Sequence, residues 1–309
     1  MLDKNNVPEM PIIRPPSEWQ SLLVRVTRGC KWNRCRFCGI YPHLGEPGFS
    51  IRSAAEIKHD IDLLKQCHPD AETVFVGDAD PLQAGVNTFV EIAVYLRQVF
   101  PIKRLTSYAR ASTLWKLKKD AIKVLAQAGL NRVHIGLESG DIKTLRYHRK
   151  GQSPEMIKET SAWLKEAGIE ISFYVLLGLG GRDNWQAHIR ESAKLINEIE
   201  PEFVRLRRLW LYGSDSQLSG PETPLLTEIR AGTFQPQTAE GTVLELRMLI
   251  EGLDDSLSTF VVCDHGNNYV CVSGIMKEDK KDMLATIDTF LALPESEREA
   301  HYSAVGSQI

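Results

Sequence analysis

LLVRVTRGCKWNRCRFCG, residues 22–39, runs from an apolar, strand-like stretch into a loop with three cysteines. Cys30, Cys35 and Cys38 place three sulfurs within nine residues, enough for three irons of a [4Fe–4S] cluster, which normally takes four cysteines. No fourth cysteine lies nearby, so one iron is left open. An open iron can bind a small molecule and pass it an electron, much as a catalytic zinc keeps one position free. The stretch therefore predicts a strand that ends at a cluster-binding loop.

A zinc site is the main alternative for these cysteines. Cys35 and Cys38 form a C-x2-C pair, and His43 follows five residues later, where it could complete a four-ligand shell. A zinc ribbon would add a second C-x2-C pair, which the sequence lacks. A disulfide is less favoured, because the cysteines are clustered and the polar, Pro-rich first residues do not form a secretory leader. The spacing favours iron–sulfur and leaves zinc open.

The composition predicts one sizeable soluble enzyme domain with an extension. With 309 residues, of which 43% are hydrophobic, the chain can bury a large core. Its net charge of -3 does not indicate nucleic-acid binding. No apolar run reaches the roughly eighteen residues that a membrane span needs. Together with the cysteine usage, these features predict a cytoplasmic protein without a membrane partner.

Short apolar runs alternate with amphipathic, helix-like stretches along most of the chain. We predict strands at Leu22–Val26, Thr73–Val76, Arg104–Ser107, Arg132–Gly136, Ile171–Leu177 and Phe203–Leu209. A capping box at Ser53–Glu56 and the pair Ser153-Pro154 begin two of the helices, and Gly129 and Gly168 end two. Strict alternation predicts a parallel sheet with right-handed crossovers. We therefore predict an α/β fold, a partial (β/α)6 TIM-type barrel, with a doubly wound sheet as the alternative.

Polar groups follow the second and third predicted strands. The turn Gly77–Asp80 carries two carboxylates, which suit a cationic amine, although an ordinary turn has the same composition. Ser107 and Arg110 follow the third strand, where a hydroxyl and a guanidinium can meet a ribose or a carboxylate. In either fold, ligands bind at the carboxyl ends of the strands, so we expect these groups near the cysteines.

The fourth and fifth predicted strands end in groups that suit a nucleoside. Glu138 and Ser139 can hold a sugar, although a single Glu there is more often a solvated loop residue. Leu176, Gly178 and Gly181 belong to a glycine-rich end whose backbone can approach a flat aromatic ligand. This run is too short for a dinucleotide fingerprint. Taken together, the strand ends describe a pocket for S-adenosylmethionine (SAM).

The sixth predicted strand carries two alternating arginines. Arg205 and Arg207 are two residues apart, so both point to the same face of the sheet. If that face is the barrel interior, they are functional, and otherwise they are surface charges.

On these residues, the sequence resembles the radical SAM superfamily across roughly residues 22–211. The resemblance makes Cys30, Cys35 and Cys38 the iron ligands and brings the backbone of Phe37 near the adenine. The sequence around these motifs is most similar to the branch that contains the oxygen-independent coproporphyrinogen oxidases and the Elongator catalytic subunit. Four residues, rather than the usual three, separate the first two cysteines, so the motif is the variant C-x4-C-x2-C.

The resemblance also implies a set of SAM contacts. It assigns the glycine-and-acid turn to the methionyl amine, without deciding which Asp binds it. Polar residues after the third and fourth strands are assigned to the ribose and carboxylate, and the glycine-rich end to the adenine. The implied contacts are Gly77, Asp78, Ala79, Asp80, Ser107, Arg110, Glu138, Ser139, Leu176, Gly178 and Gly181.

The family's chemistry implies a reaction but no substrate. SAM would be cleaved reductively at the cluster to a 5′-deoxyadenosyl radical, which abstracts hydrogen from a substrate that the sequence does not identify. A reduced flavodoxin- or ferredoxin-type donor would supply the electron, and the exposed cluster would require anaerobic or reducing conditions. The alternatives are methyl or aminocarboxypropyl transfer from the same site, or a non-catalytic zinc or iron–sulfur protein.

The rest of the chain is predicted to surround this barrel. We divide it into an N-terminal extension, 1–20, the barrel, 21–220, and a C-terminal α+β extension, 221–309, as a possible lid. Within that extension we predict a connector at Pro221–Gln237, a helix at Glu240–Gly252, a strand at Thr259–Cys263 and a closing helix at Lys280–Leu293.

Several further residues have two interpretations. Cys263 and Cys271 could join His265 at a second cluster, but two buried thiols are the better interpretation, and Cys67 is predicted to lie in the core. His265, Tyr269 or either of the two C-terminal cysteines could instead donate hydrogen to a product radical. The basic stretch 143–150 is predicted to be a solvated helix face, with docking of an electron donor or an anionic substrate as the alternative.

Overall fold

A computed structural model of the chain describes residues 7–10, 13–46, 48–211 and 221–306. Its strands are β1 (Leu22–Arg25), β2 (Thr27–Arg28), β3 (Ser50–Ile51), β4 (Thr73–Gly77), β5 (Arg104–Tyr108), β6 (Leu130–Glu138), β7 (Glu170–Leu177), β8 (Phe203–Arg208), β9 (Phe260–Cys263) and β10 (Val272–Ile275). Its helices are α1 (Ile40–His43), α2 (Ala54–Cys67), α3 (Val86–Val99), α4 (Ala111–Gln127), α5 (Ile142–Tyr147), α6 (Pro154–Glu166), α7 (Gly181–Ile199), α8 (Pro224–Arg230), α9 (Ala239–Gly252), α10 (Met276–Leu291) and α11 (Glu295–Gly306).

A mostly parallel sheet organises the described residues. Eight strands follow one another in the order β1-β4-β5-β6-β7-β8-β9-β10, while β2 and β3 form a separate antiparallel pair. The registered neighbours from β1 to β9 are parallel, and β10 runs antiparallel to β9. Strands that alternate with helices in this way confirm the predicted α/β fold class and are consistent with a partial TIM-type barrel.

Local signals set the ends of the elements where we expected them. All six predicted strands are present, each within two residues of its predicted ends. Ser53 caps α2, with reciprocal hydrogen bonds between Ser53 and Glu56 that complete the capping box. Gly129 and Gly168 follow helices with φ of +95° and +73°, a conformation that glycine adopts without steric cost.

The C-terminal part departs from the prediction in several elements. The predicted connector Pro221–Gln237 contains α8, which begins with proline at its first position. The predicted closing helix is α10, and a further helix, α11, follows it after Pro294. The strand β10 was not predicted, because its sequence VSGI is short and contains glycine. The sheet therefore continues beyond the six barrel strands with the predicted strand at Thr259–Cys263, which is β9, and with β10.

The first of two compact units comprises residues 1–33, 40–135 and 159–171. Its core includes the fully buried side chains of Ile57, Phe75 and Leu105. The second unit comprises residues 34–39, 136–158 and 172–309, and its core includes Phe173 and Val204. Two strands, β6 and β7, contribute residues to both units.

The predicted division at 20/21 and 220/221 stays a prediction, and residues 212–220, where the predicted barrel ends, lie outside the described residues. None of the helices in the described ranges has the length and apolar character needed to cross a bilayer.

Candidate functional site

The cysteine loop begins directly after β2. Cys30, Cys35 and Cys38 are all half-buried. The Asn33 N–H lies 3.5 Å from Cys30 Sγ, and the Cys38 N–H donates to the Cys35 carbonyl at 3.2 Å. Among the described residues, no three His, Cys, Asp or Glu side chains are grouped closely enough to hold a metal ion. The chemistry of the donor set, three thiols in one short loop, fits an iron–sulfur cluster.

Backbone hydrogen bonds fix the segment that carries the second and third cysteines. The Arg36 N–H donates to the His148 carbonyl at 3.1 Å, and the Arg36 carbonyl accepts from the Leu225 N–H at 2.9 Å. The Arg36 guanidinium pairs with Glu228 and lies 4.7 Å from the centre of the Tyr147 ring. This segment is therefore held by the end of α5 and the start of α8.

Phe37 packs against a buried histidine that the sequence did not reveal. The Phe37 and His148 rings meet edge to face with centroids 5.7 Å apart. Burial lowers the pKa of His148 to about 4, so its imidazole is neutral at pH 7, and Nε2 lies 2.8 Å from the Leu179 carbonyl oxygen. The basic stretch 143–150 is thus only partly a solvated face, because His148 and Lys150 are buried.

Asp78 is a structural carboxylate. It is fully buried, Oδ2 accepts from Arg25 Nη2 at 3.1 Å, and Oδ1 accepts from the Tyr41 hydroxyl at 2.6 Å. Gly77 is buried beside it, and Ala79 is half-buried. Because both carboxylate oxygens of Asp78 already have strong donors, this side chain has little capacity left for a ligand.

Asp80 lies two residues after Asp78 and differs from it in the hydrogen bonding of one carboxylate oxygen. Oδ2 accepts from the Thr113 hydroxyl at 2.5 Å and from Gln83 Nε2 at 3.2 Å. Oδ1 is buried and has no hydrogen-bond partner among the described residues. Burial raises the pKa of the Asp80 carboxyl to about 6, against the opposing hydrogen bonds. An ammonium group donating to Oδ1 would satisfy this oxygen, so the turn fits the SAM amine.

Ser107 and Arg110 have different environments at the end of β5. The Ser107 hydroxyl is fully buried and donates to the Val76 carbonyl at 3.1 Å, which ties β5 to β4. Arg110 is half-buried, and its guanidinium lies 4.7 Å from the centre of the Trp32 ring in the cysteine loop. Arg110 is therefore the better placed of the two for a ligand carboxylate.

Glu138 and Ser139 end β6 and are both bound to other side chains. Glu138 Oε1 accepts from Lys150 Nζ at 2.7 Å, and both side chains are about nine-tenths buried. The Ser139 hydroxyl lies 2.8 Å from His188 Nδ1 and accepts from the Asp141 N–H at 3.0 Å. Burial lowers the pKa of His188 to about 4, so this imidazole is neutral at pH 7. Ser139 thus supports the loop, and Glu138 keeps one carboxylate oxygen outside the ion pair.

The glycines after β7 make room for other residues of the same chain. Gly178 and Gly181 have φ of +89° and +59°. A Cβ on Gly181 would lie 2.7 Å from the Gln235 carbonyl oxygen and 2.8 Å from the Phe234 ring. Leu176, just before them, is half-buried, and its carbonyl oxygen lies 3.0 Å from His188 Nε2. At Gly181 the close approach that we predicted for a flat ligand is made by the chain's own residues 234–235.

Glu245 is a buried carboxylate that sequence reasoning missed. It is fully buried in α9, where Oε2 accepts from the Gly178 N–H at 2.5 Å and Oε1 accepts from Gln237 Nε2 at 3.0 Å. Burial raises the pKa of Glu245 to about 7, and its two hydrogen bonds only partly oppose this. The signal was present in the sequence, since Glu245 is one helical turn from Leu249 on the buried face of α9.

The remaining cysteines divide between core and surface. Cys263 is buried and its Sγ lies 3.5 Å from the Val270 carbonyl oxygen, whereas Cys271 is exposed. The expectation of two buried thiols was therefore wrong for Cys271. Cys67 is exposed at the end of α2, so the prediction that it lies in the core was also wrong.

The sequence model of the radical SAM superfamily matches residues 24–195, more than half of the chain. The chain belongs to the radical SAM superfamily. This match confirms the resemblance predicted from the cysteine loop and the strand ends, and with it a [4Fe–4S] cluster and SAM as the cofactors of this radical SAM protein.

Several known proteins are similar to this chain over much of its length. The heme chaperone HemW of Bacillus subtilis (strain 168) is 21% identical over 220 residues, which are 69% of this chain and 55% of HemW. The chain therefore spans just over half the length of this curated relative. The archaeal Elp3 of Methanocaldococcus infernus superposes with a TM-score of 0.53 and 13% identity, over 89% of this chain and 64% of Elp3.

A second solved structure is the radical S-adenosylmethionine methyltransferase TsrM of Kitasatospora setae, with tryptophan and the SAM analog aza-SAM bound. It superposes with a TM-score of 0.51 and 18% identity, over 68% of this chain and 38% of TsrM. At these identities the likeness to Elp3 and TsrM shows a shared fold.

Proposed function

We propose that this radical SAM protein is an enzyme that cleaves SAM reductively and abstracts hydrogen from a small-molecule substrate. When bound, the cluster supplies the electron that splits SAM to methionine and a 5′-deoxyadenosyl radical. The buried, unpartnered Asp80 Oδ1 carries this proposal, because it is a ready acceptor for the amine of SAM in a turn whose other carboxylate, Asp78, is fully paired.

Each predicted site residue receives a role on this basis. We assign the cluster to Cys30, Cys35 and Cys38, and the SAM amine to Asp80. Arg110 is assigned to the SAM carboxylate, since a half-buried guanidinium suits that group.

The other predicted residues are assigned to the nucleoside end of SAM. Glu138, through the oxygen outside its ion pair, is assigned to the ribose. Ser107 and Ser139 support the strand ends, Phe37, Leu176 and Gly178 provide backbone on the adenine side, and Gly181 makes room for residues 234–235.

The electron donor is proposed to be a reduced flavodoxin- or ferredoxin-type protein in an anaerobic or strongly reducing cytoplasm. Lys143, Arg146 and Arg149 are exposed on and just after α5. Such donors are acidic, so this small basic group offers a complementary surface. The same helix ends at Tyr147, which contacts Arg36 of the cysteine loop.

Anaerobic reconstitution with iron and sulfide tests the proposal. We expect a brown protein with about four irons per chain that forms 5′-deoxyadenosine from SAM when dithionite is added. Colourless protein with one zinc and no cleavage would instead identify the non-catalytic alternative. Release of methylthioadenosine or S-adenosylhomocysteine would redirect the assignment to aminocarboxypropyl or methyl transfer.

A further inference from the structure

The strand β8 presents two arginines on one face. Val204 and Leu206 are fully buried on one side of the strand, whereas Arg205 and Arg207 alternate with them and are half-exposed. In a TIM-type barrel the helices cover the outer face, and the side chains of the other face line the interior at the active-site end. Arg207 is one residue from the carboxyl end of β8, where such enzymes bind substrate.

The two arginines differ in their partners. Arg205 Nε donates to the Ser172 hydroxyl at 3.3 Å. Arg207 joins no ion pair within the described part of the chain, and its guanidinium lies 5.9 Å from the centre of the Tyr174 ring. By contrast Arg25 and Arg132 each pair with a carboxylate. A half-buried guanidinium without an anion is a binding group, since five N–H donors are left for a ligand.

The loop after β9 adds a second group beside Arg207. Arg205 is paired in register with Val262 on the neighbouring parallel strand. Two residues further along each strand, Arg207 is therefore level with Asp264. Asp264 is exposed, and no ion pair joins it to Arg207 among the described residues. His265 follows, with Nδ1 held 2.6 Å from Asn267 Oδ1. Burial, and then the positive charge of Arg207, lower the pKa of His265, while Asn267 and Asp264 oppose this.

We propose that Arg207, with Tyr174 against it and His265 beside it, binds an anionic group of the substrate, a carboxylate or a phosphate. This subsite rests on the proposed radical SAM function, which it deepens by naming the substrate class. An oxyanion bridging the guanidinium and the imidazole would offset the repulsion between them, and His265 would then take up a proton and donate from Nε2.

Histidine NMR on the anaerobically reconstituted protein tests this subsite without turnover. The His265 ring signal, assigned with His265→Gln, is titrated with pH in the presence of succinate, inorganic phosphate or neutral acetamide. We expect one or both anions, and not acetamide, to raise the His265 pKa by about half a unit or more. The anion that causes the larger rise in the His265 pKa identifies the group that the subsite accepts.

Two arginine variants decide whether the effect belongs to Arg207. The anion-induced shift should disappear in Arg207→Gln and persist in Arg205→Gln, the matched change on the same face of β8. No shift with either anion, or an equal shift in both variants, would overturn the subsite. Iron content and substrate-free 5′-deoxyadenosine formation, measured on the same samples, report separately on the proposed function.

Discussion

The strand ends of the two units differ in how much binding capacity the chain leaves open. In the first unit, Asp80 keeps one buried oxygen without a partner. In the second unit, Ser139 is bonded to His188, Glu138 is paired with Lys150, and the space beside Gly181 is filled by residues 234–235. A strand-end motif therefore becomes a binding site only where the protein has not already satisfied its polar groups.

The same distinction separates two neighbours in one turn. Asp78 and Asp80 are both buried carboxylates after β4, but Asp78 pairs with a buried arginine, whereas one oxygen of Asp80 has no hydrogen-bond partner among the described residues. Removing Asp78 should cost stability, and removing Asp80 should cost ligand affinity.

Loss of a cluster ligand should have the largest effect, because in the proposed function SAM is cleaved at the cluster. Cys38→Ser should lower iron content and reduce 5′-deoxyadenosine formation by about 100-fold or more, since a serine hydroxyl is a poor ligand for iron in such a cluster. Iron analysis and product chromatography measure the two effects. Cys67→Ser, at an exposed site, is the matched control and should behave as the native protein. Normal turnover in Cys38→Ser would show that Cys38 is not a ligand of the catalytic cluster.

Asp80→Asn should weaken SAM binding strongly. It removes the charge that would face the amine, and a charge-assisted hydrogen bond is worth about 1.5–3 kcal/mol, or about 10- to 100-fold in affinity. We expect the KM for SAM to rise within that range while the thermal stability is unchanged or slightly higher. The measurement is 5′-deoxyadenosine formation against SAM concentration.

Asp78→Asn is the matched change in the same turn. It removes one of the three carboxylates around the buried Arg25, which also pairs with Glu9 and Glu46, so we expect the protein to lose about 1.5–3 kcal/mol of unfolding free energy. Urea denaturation of both variants measures this, and the KM for SAM of folded Asp78→Asn should stay within about threefold of the native value. A reversal of the two phenotypes would show that the amine binds Asp78.

Glu138→Gln should have a smaller effect, and one divided between stability and binding. The change breaks the ion pair with Lys150, whose side chain is 10% exposed, and so removes a negative charge beside a largely buried ammonium. We expect a loss of about 1–3 kcal/mol in stability and a KM for SAM raised only a few-fold. Lys150→Met combined with Glu138→Gln should recover part of the stability. A tenfold rise in KM without destabilisation would place Glu138 in the binding site more directly than its ion pair indicates.

Substitution of Glu245 should change only the pH dependence of the unfolding free energy. Its folded pKa of about 7 lies above the ordinary value of 4.5, so the folded state binds more protons between these values. Stability should therefore fall as pH rises from about 4.5 to 7, by an amount on the order of 3 kcal/mol, and stay level above pH 7. Glu245→Gln should reduce this slope in urea denaturation between pH 5 and pH 8, and the contribution of Asp80, whose pKa is raised to about 6, should remain. An unchanged slope would assign it to another group.

The sequence predicted most of the barrel because its signals are local. Alternating apolar runs and the Ser53 capping box depend on neighbours in the chain, and both agree with the structure. The helix α8 was missed because prolines and threonines dominated the interpretation of its segment, although Pro224 is a helix-start signal followed by apolar residues.

The candidate site was predictable in its residue types and not in its partners. The sequence placed two Asp residues in one turn but did not show that Arg25 and Tyr41 occupy Asp78 alone. Likewise, the burial of His148 depends on Phe37 and Leu179, which are distant in sequence and which periodicity within one helix does not describe.

The glycine before the first cysteine sets a limit on mutational tolerance. Gly29 has φ of +71°, and a Cβ there would lie 1.9 Å from the Gly48 carbonyl oxygen. Gly45 has a similar φ of +75° but open space around it. In a saturation library selected for function, position 29 should return glycine alone, whereas position 45 should also admit asparagine, which tolerates this backbone conformation.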